Sequence, residues 1–164
     1  MLKTLQGNER ADGGAINVDG PNELVLDSAY TDVAIKVIKA ARSEIRLCAY
    51  AWRWYEMEPE IGIQKLNVEL LRACKRGVSV RCLVDTEAMK RIFLQLGFTA
   101  RAVHPTRMLH TKAICADTNA LLIGSHNLTK RANTDNYEAS ILSREFELNA
   151  QFITYFDKMW DSRG

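Results

Sequence analysis

Several things are missing from this 164-residue sequence, and each absence narrows what it can do. No apolar run approaches the roughly 18–20 residues of a membrane-spanning helix. The start, from Met1 to Arg10, has no apolar signal-peptide core. These two absences predict a cytoplasmic protein with no stable membrane association. There is no excess of one charge: 22 Lys and Arg against 20 Asp and Glu leave a net charge of +2. Any pull on nucleic acid or an anionic surface must therefore come from a local patch. Cysteine is sparse. Cys48, Cys74, Cys82 and Cys115 form no C-x-x-C pair and have no ligand-like spacing from a histidine, so no zinc site is expected. They fall in apolar strand-like or helical runs, which predicts buried, reduced thiols. No carboxylate pair has magnesium-site character, and no metal or cofactor is expected. Repeats, linkers and low-complexity tracts are also absent.

What is present suits one soluble globular domain: 47% apolar and 26% charged residues, in a chain long enough for a real core. Residues 1–22 are polar and glycine-containing. They predict a loosely ordered segment, with at most a short strand near Ala15–Val18. A single domain is expected over residues 23–164. Its first strand is Glu23–Leu26. A helix capped by Thr31 follows, with Ala34, Val37, Ile38 and Ala41 on its apolar face. Ile45–Trp52 reads as a buried strand. A second helix carries Leu66, Leu70, Ala73 and Cys74 and ends at Gly77. Val78–Val84 is a strand, and Met89, Ile92, Phe93 and Leu96 mark a helix stopped by Gly97. Phe98–Val103 and Met108–Cys115 are further strands. After Ala120–Ile123 comes a polar loop at Leu128–Asn133. Tyr137–Leu142 is the last strand, and a helix from about Arg144 to Asp161 closes the chain. This alternation predicts an α/β fold: a mixed, mainly parallel sheet with helices on both faces.

The chemistry concentrates between His110 and Glu138. His110 and Lys112 are two apart, so on a strand they share a face. Ser125 and Asn127 share one in the same way, just after Gly124. If the two runs are neighbours, imidazole, ammonium, hydroxyl and amide converge with no acid among them, a set that suits a phosphate.

These residues carry a specific resemblance. His110, Lys112, Asp117, Gly124, Ser125 and Asn127 fit the H-x-K-x4-D-x6-G-S-x-N signature of the phospholipase D superfamily without a gap. Glu138 lies where that family places an acidic residue, and the order of elements is similar from about Leu24 to Asp161. The resemblance implies a two-step phosphodiester cleavage without metal. His110 would attack phosphorus and become a phosphohistidine. Glu138 would orient its ring. Lys112 and Asn127 would hold the non-bridging oxygens, with Ser125 adding a hydroxyl. Asp117 would have a more structural part, bracing the turn between the two strands.

The leaving oxygen also needs a proton, and the family uses two H-x-K motifs for the two tasks. This chain has one. His104 precedes Pro105, and His126 should point away from the Ser125 and Asn127 face. A C2 homodimer with facing His110 residues is therefore expected.

The flanking features leave alternatives open. Trp52, Trp54 and Tyr55 can stack on bases at a cleft rim, or simply pack it. Lys130 and Arg131 can bind flanking phosphates, or form a solvated charge pair. Arg107 invites the same comparison. Arg72, Lys75 and Arg76 read as helix-end surface charges. Three functions fit: a nuclease, with nucleic acid as partner; a phospholipase D or phosphatidyl transferase; and a non-catalytic nucleic-acid-binding module. The intact reacting set argues against the third. The acidic stretch Met57–Ile61 argues against an anionic membrane surface. The nuclease is the leading expectation.

Overall fold

Along the second strand, side chains alternate between two separate cores. Ile45, Leu47 and Ala49 join one, and Cys48 the other. The same division recurs at Ile114 and Ala116 against Ala113 and Cys115. Both faces of this sheet are therefore apolar and both must be covered. The computed structural model describes residues 21–103 and 106–162. The expected strand near Ala15–Val18 and His104 lie outside them.

The elements in order are β1 (Asn22–Leu26), α1 (Ala29–Ala40), β2 (Glu44–Ala49), α2 (Gly62–Lys75), β3 (Ser79–Val84) and α3 (Glu87–Gln95). Then come β4 (Thr99–Ala102), β5 (Lys112–Ala116), β6 (Ala120–Gly124), α4 (Lys130–Thr134), β7 (Ala139–Ser143) and α5 (Phe146–Asp161). Helices α1, α2 and α3 cover one face through Val37, Ile38, Leu66, Leu70 and Phe93. Helix α5 covers the other with Phe152, Phe156 and Trp160. Burying each large apolar side chain contributes about 1.5–3 kcal/mol.

The seven strands lie in the order β1-β7-β6-β5-β2-β3-β4. The mixed sheet flanked by helices is as expected, with one correction. Five strands run the same way, but only β2–β3 and β3–β4 pair in parallel. The other neighbours pair antiparallel, because β5 and β7 return through short connections between strands of the majority direction. One edge of the sheet therefore collects the C-terminal ends of β1, β2, β3 and β6 with the N-terminal ends of β5 and β7.

At that edge three strands are shorter than expected, because bonds to segments distant in the sequence divert them. β2 stops at Ala49. The next residues run beside the segment after β6, with Leu128 N donating to Ala51 O at 3.0 Å and Arg53 N to Leu128 O at 3.1 Å. β5 begins at Lys112 rather than Met108, since Leu109 N is held by Asp85 Oδ1 at 2.7 Å. β7 begins at Ala139, so Glu138 precedes it.

Thr31 is not a cap: α1 starts at Ala29, and Thr31 is buried in its first turn. There it meets Gly62, where a Cβ would lie 2.6 Å from Thr31 Oγ1. The expected polar loop after Leu128 contains the short helix α4, capped by Thr129. Gly77 and Gly97 do end α2 and α3, each with φ near +89°. All four cysteines are free. Burial pushes the Cys48 thiol up to about 12, and Cys115 up to about 11.

Candidate active site at one edge of the sheet

The site starts from three strands pressed unusually close. Lys112 pairs with Gly124, and Gly124 with Ser140. A Cβ on Gly124 would lie 2.3 Å from Ala139 O and 2.4 Å from Ser140 Cα, so only glycine fits here. This close approach sets Lys112 beside the residues that follow β6 and precede β7.

Lys112 is 8% exposed. Its ammonium donates to His110 O at 2.8 Å and lies 4.8 Å from the Tyr50 ring centre. Burial lowers its pKa below the usual lysine range, and the Glu138 charge acts in the opposite sense. The exposed His110 ring meets the same Tyr50 edge-on, with centroids 4.7 Å apart. His110 and Lys112 therefore converge, though not by strand alternation, because His110 precedes the strand. They converge on Tyr50, which the sequence reading did not single out. Its only signal was an aromatic at the end of a buried strand.

Ser125 and Glu138 close the opposite side. Ser125 Oγ donates to the Glu138 carboxylate and accepts Ala139 N at 3.1 Å. Glu138 Oε1 also accepts Asn136 Nδ2 at 3.0 Å. The expected contact between Glu138 and His110 is corrected here: among the described residues no hydrogen bond joins them. The carboxylate is taken up by Ser125 and Asn136 instead. Asn127 keeps its Oδ1 buried and without a partner, which costs about 1–3 kcal/mol.

Asp117 belongs elsewhere. It sits past the far end of β5, about 17 Å along the strand from Lys112 at roughly 3.3 Å per residue. Its carboxylate accepts four bonds, from Arg42 N, Ser43 N, Ser43 Oγ and Glu44 N, at 2.6–3.0 Å. It braces the start of β2 as well as the turn it occupies.

The flanking residues divide. Trp52 is a core residue, packed at a tilt against Phe93 with ring centroids 4.4 Å apart, and its Nε1 donates to Asn67 Oδ1 at 2.8 Å. Trp54 is half-buried against the same core. The stacking role sketched for Trp52 is therefore corrected, because its ring has no free face. The Lys130 ammonium is paired with Glu58, and its amide donates to the Tyr55 hydroxyl at 2.8 Å. Arg131 is exposed and has no ion pair among the described residues. Arg107, Thr111, Tyr155 and Lys158 line a groove beside His110.

His126 is buried and turned away from the site, as expected. It stacks on Tyr30 at 4.3 Å and bonds through both ring nitrogens, to Ser140 Oγ at 2.7 Å and to Asp27 O at 3.0 Å. A carbonyl only accepts, so Nε2 carries the proton and Nδ1 accepts from the Ser140 hydroxyl. Burial lowers its pKa, outweighing the Asp27 carbonyl and the Glu138 and Asp27 charges. Among the described residues no three His, Cys, Asp or Glu side chains are grouped to hold a metal. No described helix is long and apolar enough to cross a membrane.

Comparison with known proteins places this geometry. Residues 34–160 match the family described as cardiolipin synthase, PLD-like domain. The mouse mitochondrial cardiolipin hydrolase is 29% identical over 133 residues, covering 77% of this chain and 56% of that protein. The chain thus spans about half the length of the curated relatives it matches. Among solved structures it is similar to Nuc, a phospholipase D family member from Salmonella typhimurium. The TM-score is 0.70 at 23% identity, over 85% of this chain and 95% of that one. NucT from Helicobacter pylori gives a TM-score of 0.67 at 17% identity, over 86% and 96% of the two chains. The structural likenesses establish the fold, and the match over residues 34–160 establishes the family. The chain belongs to the phospholipase D superfamily.

Proposed function

We propose that this protein is a metal-independent nuclease. It cuts nucleic-acid phosphodiesters through a phosphohistidine at a site shared by two copies of the chain. One observation carries the reading: an exposed imidazole, His110, and a shielded ammonium, Lys112, meet on the same Tyr50 ring. A nucleophile and a charge for the phosphate oxygens are thereby held together.

In the first step a His110 ring nitrogen attacks phosphorus. The P–N bond forms, the P–O bond to the leaving group breaks, and the leaving oxygen takes a proton from an acid. In the second step water attacks phosphorus, the P–N bond breaks, and the same group accepts the proton from water. Lys112 and Asn127 hold the non-bridging oxygens through both steps. A general acid contributes roughly 10²–10⁴-fold, and a single chain offers none among its described histidines beyond His110. His126 is buried with both nitrogens engaged. Among the described residues the His110 ring also has no carboxylate partner in its own chain. A second copy supplies both, its His110 as acid and its Glu138 as the orienting group across a two-fold axis.

Nucleic acid is favoured by the charges near the site. Arg107 and Lys158 line the groove beside His110, and Arg131 is exposed just beyond Asn127. Such groups suit successive backbone phosphates. A second reading, a lipid phosphodiester substrate, is favoured by the curated relatives, which are cardiolipin hydrolases. The exposed Glu56, Glu58 and Glu60 stand against an anionic lipid surface.

The test is to incubate the protein in EDTA with labelled oligonucleotides and, separately, with cardiolipin vesicles. Oligonucleotide cleavage that His110→Ala abolishes is expected. Phosphatidic acid release without oligonucleotide cleavage would replace this reading with the lipid one. Salt-sensitive binding with no cleavage of either would leave a binding module.

A further inference from the structure

We infer that Asp27 is a positioning residue for the reacting groups: one side chain and its backbone clamp Glu138 and anchor the His126 ring that stands between Ser125 and Asn127. This rests on the reading that Asn127 holds a phosphate oxygen, with Ser125 beside it, and that Glu138 orients the reacting imidazole.

Asp27 directly follows β1, two strands away from β6 of the signature. Its contacts nevertheless converge on it. Asp27 N donates to Glu138 O at 3.0 Å, and Glu138 N donates to Asp27 Oδ1 at 2.8 Å. The Glu138 backbone is thus held at both polar groups just where β7 begins. Asp27 O accepts His126 Nε2 at 3.0 Å. Because Ser140 Oγ occupies the other ring nitrogen and Tyr30 stacks on one face, the ring is fixed on three sides. Ser125 and Asn127, its chain neighbours, are fixed with it.

The backbone of Asp27 is itself unusual, with φ of +45°. A non-glycine residue in the left-handed region is strained, though Asp tolerates it better than most, and such strain gathers where geometry is functional. Glycine would relieve this strain. Keeping Asp here retains the carboxylate, whose bond in this structure goes to Glu138 N. The other non-glycine residue with positive φ among those described is Asp117, which braces the opposite end of the sheet in the same manner.

The strain also supplies the control. Asp27→Gly removes the carboxylate while suiting the backbone. Asp27→Asn tolerates the same backbone and keeps an acceptor oxygen. Both are assayed with bis(p-nitrophenyl) phosphate, a small diester that does not depend on the nucleic-acid reading. For Asp27→Gly, kcat falls about 10- to 100-fold, KM stays within about twofold, and the melting temperature is maintained. Asp27→Asn restores kcat to within about threefold of wild type. A folded Asp27→Gly with unchanged kcat overturns the inference, as does an Asp27→Asn no better than Asp27→Gly. If Asp27→Gly fails to fold, amide exchange in the wild type decides. A protected Glu138 amide supports the clamp, and one exchanging at the unfolded-chain rate overturns it. Wild-type hydrolysis of the small diester without oligonucleotide cleavage would count against the nuclease reading alone.

Discussion

Replacing Asp117 by Asn should weaken the fold without touching the chemistry, and its size follows from the carboxylate's surroundings. Partial burial by itself would raise the Asp117 pKa. The hydroxyl and amide of Ser43 and the amides of Glu44 and Arg42 outweigh burial and lower it from an ordinary 3.8 to about 2. At about 1.4 kcal/mol per unit, this linkage is worth at most about 2.5 kcal/mol, and about 2 kcal/mol once solvent screening of the partly exposed carboxylate is allowed for. The pKa is depressed on folding, so the contribution is present above about pH 4 and is lost as the pH falls toward 2. Asn tolerates the backbone φ of +51° at this position, but its NH2 group faces the Arg42 amide, donor against donor. We expect Asp117→Asn to melt about 4–8 °C below wild type at pH 7, with the gap narrowing steadily below pH 4. Asp117→Ala should lose more, about 3–4 kcal/mol, because it also strains the left-handed backbone. Scanning calorimetry between pH 7 and pH 2.5 measures both. An unchanged melting temperature at pH 7, or a gap that persists at the lowest pH, would refute the argument. Below the melting range kcat should match wild type; a large fall would return Asp117 to the reacting set.

Three further outcomes are expected. Gly124→Ala drives a methyl into Ala139 O and the Ser140 backbone, and should cost about 3 kcal/mol or more, read by denaturant unfolding. Glu138→Gln removes the charge that raises the Lys112 pKa against burial, so the alkaline limb of the rate profile should move to lower pH; an unmoved limb would mean the two groups do not interact. Trp52→Leu should lower stability by about 2–4 kcal/mol, through lost packing and the orphaned Asn67 Oδ1. Oligonucleotide affinity of the folded variant should be unchanged; a fall at unchanged fold would restore the stacking role.

Much of this was legible in the sequence because one physical signal acted alone. The four longer helices followed from apolar spacing, though the short α4 did not, and the ends at Gly77 and Gly97 from a backbone that needs positive φ. His110, Lys112, Ser125 and Asn127 do end at one edge of one sheet. The less legible part was long-range. Nothing local to β1 indicates that Asp27 grips Glu138 across 111 positions, or that Tyr50 gathers two signature residues. Strand ends were overextended for the same reason. Apolar runs continue through Tyr50–Trp52 and Met108–Leu109, but partners distant in sequence, Leu128 and Asp85, take over their backbone bonds. Trp52 looked like a rim aromatic because its burial depends on Phe93 and Asn67, which come from α3 and α2. The order of the strands within the sheet was likewise invisible, since alternation fixes the faces of a strand and not its neighbours.

The most direct test is to mix enzyme with a labelled substrate, quench within milliseconds under alkaline conditions that preserve phosphoramidates, digest, and locate the label by mass spectrometry. The account predicts a substrate-derived phosphoryl group on the His110 imidazole, forming and decaying at rates compatible with turnover and absent from His110→Ala. Rapid turnover with no adduct on His110 at any time, or undiminished cleavage by His110→Ala, would contradict it.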